Sequence, residues 1–137
     1  MTDTVRQVDY YYIEVPEKAG EGFRILAGLK ASGVNLLAFC GFPCRRGKAQ
    51  LDFVPEDALE LRKAARGLGV KLSPRKRAFL LQGDDRVGAV ADTLGALADR
   101  KIDLIAAQAV CAGAGRWGML LWVKPGDYKR ASKALGI

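Results

Sequence analysis

The chain has 137 residues, of which 50% are hydrophobic and 27% are charged, a composition typical of a globular protein and not of a disordered one. No apolar stretch is long enough to predict a transmembrane helix, and the mixed, polar start of the chain predicts no secretory signal. The net charge of +7 allows an acidic partner, although many basic residues lie on predicted solvent-facing helix surfaces.

The first half is predicted to form strand, helix, strand, strand, helix and strand in that order. Its strands are predicted at residues 8–15, 34–42, 49–54 and 70–72. The first helix, residues 21–32, has an apolar stripe and stops at Gly33, and the second runs from Pro55 to the stop at Gly67. This order is that of the split βαβ unit of ferredoxin-like folds.

The second half repeats this order but ends where its fourth strand should begin. Its strands are predicted at residues 77–82, 102–112 and 117–123, and its helices at residues 87–100 and 125–135. A bare strand edge invites pairing, so we expect either residues 4–8 or a partner chain to cover the open edge.

The two halves match at a constant shift of 68 residues. Gly20 falls on Gly88, and the segment Val34-Asn35-Leu36 falls on Ile102-Asp103-Leu104. Such a repeat predicts two copies of one module related by a pseudo-two-fold axis. The predicted fold class is therefore α+β, with two ferredoxin-like βαββαβ modules at residues 1–73 and 74–137. The second lacks its last strand, and both sheets are antiparallel with helices on one face.

The predicted strands at residues 102–112 and 117–123 are apolar on both faces. A sheet with helices on one side should be polar on the other, so a second subunit is expected to cover the open face. The simplest assembly is a homodimer with two-fold symmetry.

Several chemistries are excluded by composition. The chain has no histidine, so it cannot form a Ser-His or Cys-His pair, and it has no phosphate-binding glycine loop. The three cysteines are an odd number and predict a reducing, cytoplasmic setting with no metal site. The sequence thus predicts a binding protein without cofactor rather than an enzyme.

Two short elements could bind a ligand. The turns Glu17-Lys18-Ala19-Gly20 and Asp85-Arg86-Val87-Gly88 each lead into a helix, whose first amides favour an anion such as a carboxylate. The alternative is simple capping of the helix by Asp84 or Asp85. Asn35 and Asp103 follow the same helices and could bind an ammonium group, or could be turn formers only.

These residues resemble the ACT domain, a small regulatory module with an acidic-x-Pro-Gly turn, a helix and a Gly-Val-Asn-Ile segment. The resemblance implies a continuous sheet of paired modules, with amino acids bound between the first loop and helix of one module and its neighbour. It implicates the following residues: Gly20, Val34, Asn35, Asp85, Gly88, Ile102 and Asp103. Because Glu17, Ala19, Val87 and Asp103 depart from the family pattern, the two sites are not expected to be equivalent.

The predicted function is therefore that of a regulatory or sensor protein that binds an amino acid. The alternative is RNA binding, since RNA-recognition motifs have the same order of elements and the chain is basic. The aromatic residues that could stack on bases are Tyr10, Tyr12, Phe53, Trp117 and Trp122. The acidic Asp52 in the predicted third strand argues against this alternative.

Overall fold

The computed structural model describes residues 3–137, which divide into two compact units. One unit is Asp9–Lys76, and the other combines the N-terminal residues up to Val8 with Arg77–Ile137. No helix in the described part of the chain is both long and apolar enough to cross a membrane.

The first unit follows the predicted order of elements. They are β1 (Thr4–Pro16), which enters the unit at Asp9, α1 (Glu21–Ala31), β2 (Leu36–Arg45), β3 (Lys48–Pro55) and α2 (Ala58–Gly67). The strands are antiparallel in the order β2-β3-β1. Alternate residues of β1 and β3, such as Ile13 and Phe53, pack against Ile25 and Leu29 of α1 and Leu61 of α2.

The strand predicted at residues 70–72 is wrong, because this stretch is irregular. It still runs beside β1, since the Ser73 amide donates to the Tyr12 carbonyl at 2.8 Å and the Tyr12 amide donates to Ser73 Oγ at 2.9 Å. Pro74 has no N–H group to continue such pairing. This irregular segment therefore takes the position of a fourth strand beside β1 but does not form regular strand pairing.

The second unit repeats the architecture of the first. Its elements are β4 (Lys76–Asp84), α3 (Ala89–Ala98), β5 (Leu104–Gly113), β6 (Arg116–Val123), a short 3-10 turn (Pro125–Asp127) and α4 (Tyr128–Ala134). The sheet order is β1-β4-β6-β5. Its core includes Phe79, Leu97 and Leu121, and Phe79 stacks on Tyr128 with ring centroids 4.4 Å apart. The predicted α+β fold with ferredoxin-like modules is confirmed.

The edge of β4 left open by the missing strand is covered by the start of β1. Thr4 Oγ1 donates to the Gln82 carbonyl at 3.3 Å, and Val5 packs against the core of the second unit. The sequence left two alternatives for this edge, residues 4–8 or a partner chain, and the structure shows the first.

The expectation that a second subunit covers both apolar strands of the second unit is wrong for β6. Leu120 and Trp122, on the face away from the core cluster, are already buried within the single chain, at 4% and 7% exposure. In β5, by contrast, Ile105 and Val110 are 60% and 64% exposed. β5 has only one neighbouring strand, so its outer edge is free in the described structure.

The repeat extends to backbone conformation. Gly20 and Gly88 have φ angles of 90° and 85°, and Gly47 and Gly115 have φ angles of 73° and 69°. At the exit of the first helix in each unit, Gly33 has φ 75° and its counterpart Lys101 has φ 56°. Lys101 is thus a side-chain-bearing residue in a left-handed conformation that favours glycine.

We predict that Lys101→Gly stabilises the protein by about 0.5–1 kcal/mol, because glycine adopts this φ angle without steric cost. The reciprocal change Gly33→Lys should destabilise it by a similar amount. Urea unfolding of the three proteins measures both changes. A lower unfolding midpoint for Lys101→Gly would contradict the prediction.

Candidate functional site

The start of α3 opens into a cavity of about 310 Å³ in the second unit. One wall consists of Asp85 and Arg86 in the loop after β4, followed by Gly88 and the first residues of α3. The other wall is formed by Ala109–Cys111 of β5 and by Trp117 of β6. The lining is thus mostly apolar, with charged groups at the loop.

The start of α3 has no side-chain cap. Gly88 is the N-cap residue of α3, and no side chain accepts a hydrogen bond from the amides of the first turn of this helix. The first amides of a helix have no acceptor within the helix, so they favour an anion. The capping alternative is therefore wrong here: Asp84 instead accepts a hydrogen bond from Arg116 at 2.8 Å.

The loop is held in place by main-chain and side-chain contacts. The Asp85 amide donates to the Gly115 carbonyl at 2.8 Å, which ties the loop to the hairpin between β5 and β6. The Cys111 thiol, across the cavity, donates a hydrogen bond to the Asp85 carboxylate. This bond raises the pKa of the Cys111 thiol, and desolvation acts in the same direction.

Trp117 contributes a polar group without a partner. Its side chain lines the cavity and the residue is only 4% exposed, yet its indole Nε1–H has no hydrogen-bond partner among the described residues. Buried donors are nearly always satisfied, so this indole N–H is an unusual feature of the cavity wall.

The equivalent turn in the first unit has the same backbone but a different lining. Gly20 is the N-cap of α1, also without a side-chain cap, and the Glu17 amide donates to the Gly47 carbonyl at 2.9 Å. At the shift of 68 residues, Ala91, Val110 and Trp117 are replaced by larger or smaller side chains, namely Phe23, Phe42 and Ala49. The two turns are therefore not equivalent as binding sites.

The structure separates the two predicted elements within each unit. Asn35 lies beyond the far end of α1, and because this helix has 11 residues the distance from Gly20 is about 16 Å along its axis. Asn35 Nδ2 donates to Glu56 Oε2 at 3.2 Å, and the Glu56 amide donates to the Asn35 carbonyl at 2.9 Å. Within this unit, a small ligand at Gly20 cannot also contact Asn35.

The same separation holds in the second unit, where Asp103 is exposed beyond the far end of α3. Ile102 is buried in the core at 5% exposure, and Val34 packs against the core of the first unit. Of the predicted site residues, only Asp85 and Gly88 line the cavity.

Sequence reasoning missed Trp117, Cys111 and Val110 as lining residues. Trp117 corresponds to Ala49 in the repeat, so a search for features shared by the two copies could not find it. Arg86 was part of the recognised turn, but its role in the cavity depends on contacts with distant residues. Its two neighbouring acids are Asp3 and Asp92.

Most of the five aromatic residues on which the RNA-binding alternative depends are buried in the described chain. Phe53 and Trp117 belong to the buried cores of their units, at 1% and 4% exposure, and Trp122 is 7% exposed. Only Tyr10 and Tyr12 of the five rings are partly accessible. Stacking on successive bases needs exposed ring faces, so this alternative loses its main support.

No protein-family model matches the sequence, and neither does any curated protein. Solved structures do match over nearly the whole chain. Protein BT0572 from Bacteroides thetaiotaomicron is similar with a TM-score of 0.81 and 16% identity, covering 96% of this chain and 88% of that one.

Two regulatory subunits of aspartate kinase are also similar. The ligand-free form from Thermus thermophilus has a TM-score of 0.66 and 14% identity, with 97% of this chain and 93% of that one covered. The subunit from Thermus flavus has a TM-score of 0.65 and 14% identity, with coverages of 98% and 95%. At these identities the likeness shows the fold, and at that level it confirms the resemblance to paired ACT domains.

We predict that Asp85→Asn makes Cys111 react faster with iodoacetamide near pH 8. The carboxylate stabilises the protonated thiol and raises its pKa, so its neutral replacement lowers that pKa and increases the thiolate fraction. The rate should be measured against pH in a background with Cys40→Ala and Cys44→Ser. A pH profile that does not move to lower pH in Asp85→Asn would contradict the prediction.

Proposed function

We propose that this protein is a regulatory module that binds a free amino acid in the cavity at the start of α3. The observation that carries the proposal is an uncapped helix start facing a 310 Å³ cavity whose wall contains an unpartnered, buried indole N–H. Cavities of this size accommodate small ligands with a few fixed polar contacts.

The two charged groups of an amino acid match the two kinds of group at the loop. The ligand carboxylate would accept hydrogen bonds from the first amides of α3, where the helix dipole also favours a negative charge. The ammonium group would lie near the Asp85 carboxylate. The side chain would pack against Ala109, Val110 and the Trp117 ring.

The fold likeness supports a regulatory role rather than a catalytic one. The similar aspartate kinase proteins are described as regulatory subunits, and one of them as the ligand-free form. In this chain the missing histidine and the apolar lining are consistent with binding without chemistry.

We predict that a thermal-shift screen of the twenty amino acids identifies at least one that raises the unfolding temperature by several degrees. A ligand at 100 times its dissociation constant stabilises a protein by about 2.7 kcal/mol, enough for such a shift in a chain of this size. Trp117→Phe should weaken the binding of that amino acid about tenfold, because the smaller ring changes the shape of the cavity wall. Without ligand, this substitution removes no hydrogen bond, because Trp117 Nε1 has no partner among the described residues.

The matched control is Trp122→Phe, since Trp122 is buried in the same strand but does not line the cavity. Its affinity for the amino acid should equal that of the wild type. A flat response to all twenty amino acids would refute the proposed function.

The free edge of β5 supports the further proposal of a two-fold dimer. This strand has ten residues, none of them charged, and nine are exposed. Exposed apolar edges without lysine or proline favour pairing with another strand. Antiparallel pairing of β5 with its copy would extend both sheets and add a wall beside Ala109–Cys111.

We predict that Ala107→Lys, in the middle of this edge, shifts the protein from dimer to monomer in sedimentation velocity experiments. Two lysines near a two-fold axis repel each other and lose hydration. Ala19→Lys, in an exposed turn of the first unit, is the control and should remain a dimer. A wild-type protein that is monomeric at all concentrations would exclude the dimer.

A further inference from the structure

Residues 3–8 complete the second unit, and Asp3 lies beside the loop that forms one wall of its cavity. Besides the contacts of Thr4 and Val5, Gln7 Nε2 donates to Ser132 Oγ of α4 at 2.7 Å. Asp3 precedes this segment, and its side chain is only 6% exposed. Residues 3–7 are therefore anchored from α4 to the loop after β4.

The Asp3 carboxylate fits closely against Arg86 and Gly83 beside that loop. Arg86 Nη1 donates to Asp3 Oδ1 at 3.0 Å and Nη2 donates to Oδ2 at 3.1 Å, a bidentate pair. A Cβ atom at Gly83 would lie 2.8 Å from Asp3 Cγ and overlap its carboxylate. The same Cβ would lie 3.1 Å from Trp117 Nε1, so Asp3 and the unpartnered indole share the space left by Gly83.

Arg86 joins this carboxylate to the wall of the cavity. It lines the cavity, and its Nη2 also donates to Asp92 Oδ2 in the first turn of α3 at 3.2 Å. Its Nη1 lies 3.5 Å from the Asp84 carbonyl at the end of β4. The hydrogen bond with Asp3 is the main cause that raises the pKa of Arg86, with desolvation opposing it and Asp92 adding to it.

These contacts leave Arg86 with partners on three segments and so suit it to hold the loop rather than to bind a ligand. By pairing with Asp92, it engages the acid of the first helical turn, while the amides at the helix start remain without a side-chain cap. A residue near the start of the sequence, Asp3, therefore contacts the wall of the cavity through Arg86.

We infer that Asp3 is a positioning residue of the cavity, and that it acts through Arg86. Docking of the N-terminal segment and binding in the cavity then favour each other, as thermodynamic linkage requires for coupled sites. The part of this inference that concerns an amino acid rests on the proposed function, whereas the part that concerns the cavity wall does not.

The first experiment needs no amino acid and uses iodoacetamide as a probe of the cavity through Cys111, in the background lacking the other two cysteines. Asp3→Asn should increase the alkylation rate of Cys111 about fivefold and increase hydrogen exchange in residues 84–92. Asp127→Asn, which breaks the 2.9 Å pair with Arg130 at α4, is the control and should change neither. Equal alkylation and exchange in Asp3→Asn and wild type would overturn the inference.

The second experiment is a double-mutant cycle with the amino acid that gives the largest thermal shift. Asp3→Asn, Arg86→Gln and the double variant should each weaken its binding by about tenfold, because the two residues act as one unit. The amino acid should also protect residues 4–8 from hydrogen exchange in the wild type but not in Asp3→Asn. A purely structural ion pair would lower the unfolding temperature without this reciprocal protection.

The outcomes separate the two proposals. Additive losses in the cycle, or wild-type affinity in Asp3→Asn, overturn the positioning role while leaving amino acid binding intact. If no amino acid binds, the proposed function fails, and the alkylation and exchange measurements alone decide whether Asp3 positions the cavity wall.

Discussion

Each unit enters its first helix through a glycine in the left-handed region of backbone space, with φ 90° at Gly20 and 85° at Gly88. This conformation turns the chain sharply from strand to helix and leaves the N-cap position without a side chain. The first turn of each helix consequently receives no hydrogen bond from a capping side chain. The loop geometry, the cavity beside it and the proposed anion contact all depend on this backbone constraint.

The two copies show how one backbone supports different surfaces. Both turns are tied to the neighbouring hairpin by the same amide-to-carbonyl bond, from Glu17 to Gly47 and from Asp85 to Gly115. In the second unit small side chains such as Ala89 and Ala91 leave space, and Trp117 supplies a donor. In the first unit Phe23 projects at the equivalent helix position and is 76% exposed. The two copies share the same backbone conformation at the turn, but different side chains make the two sites unlike.

The N-terminal residues add a connection that the repeat itself does not contain. They take the edge of β4 where a fourth strand would lie, and their buried Asp3 pairs with Arg86 in the cavity loop. A buried ion pair contributes little net stability against a well-packed apolar alternative, but breaking one partner is costly. Its value here lies in the orientation that it imposes on Arg86 and on the start of α3.

The sequence by itself determined the duplication, the order of elements and the two helix-start turns, because glycines and apolar periodicities are local signals that recur at one shift. It also predicted Asp85 and Gly88 as ligand-binding residues, and both line the cavity. It could not show that Asn35 and Asp103 lie at the opposite ends of their helices from these turns, that residues 70–72 form no strand, or that Asp3 reaches Arg86. Those features depend on the path of the chain in space. The first and the third concern groups separated by a helix length or by more than 80 residues, and the stretch at 70–72 runs beside β1 through the hydrogen bonds of Ser73 with Tyr12. Only the tertiary structure brings such groups together or keeps them apart.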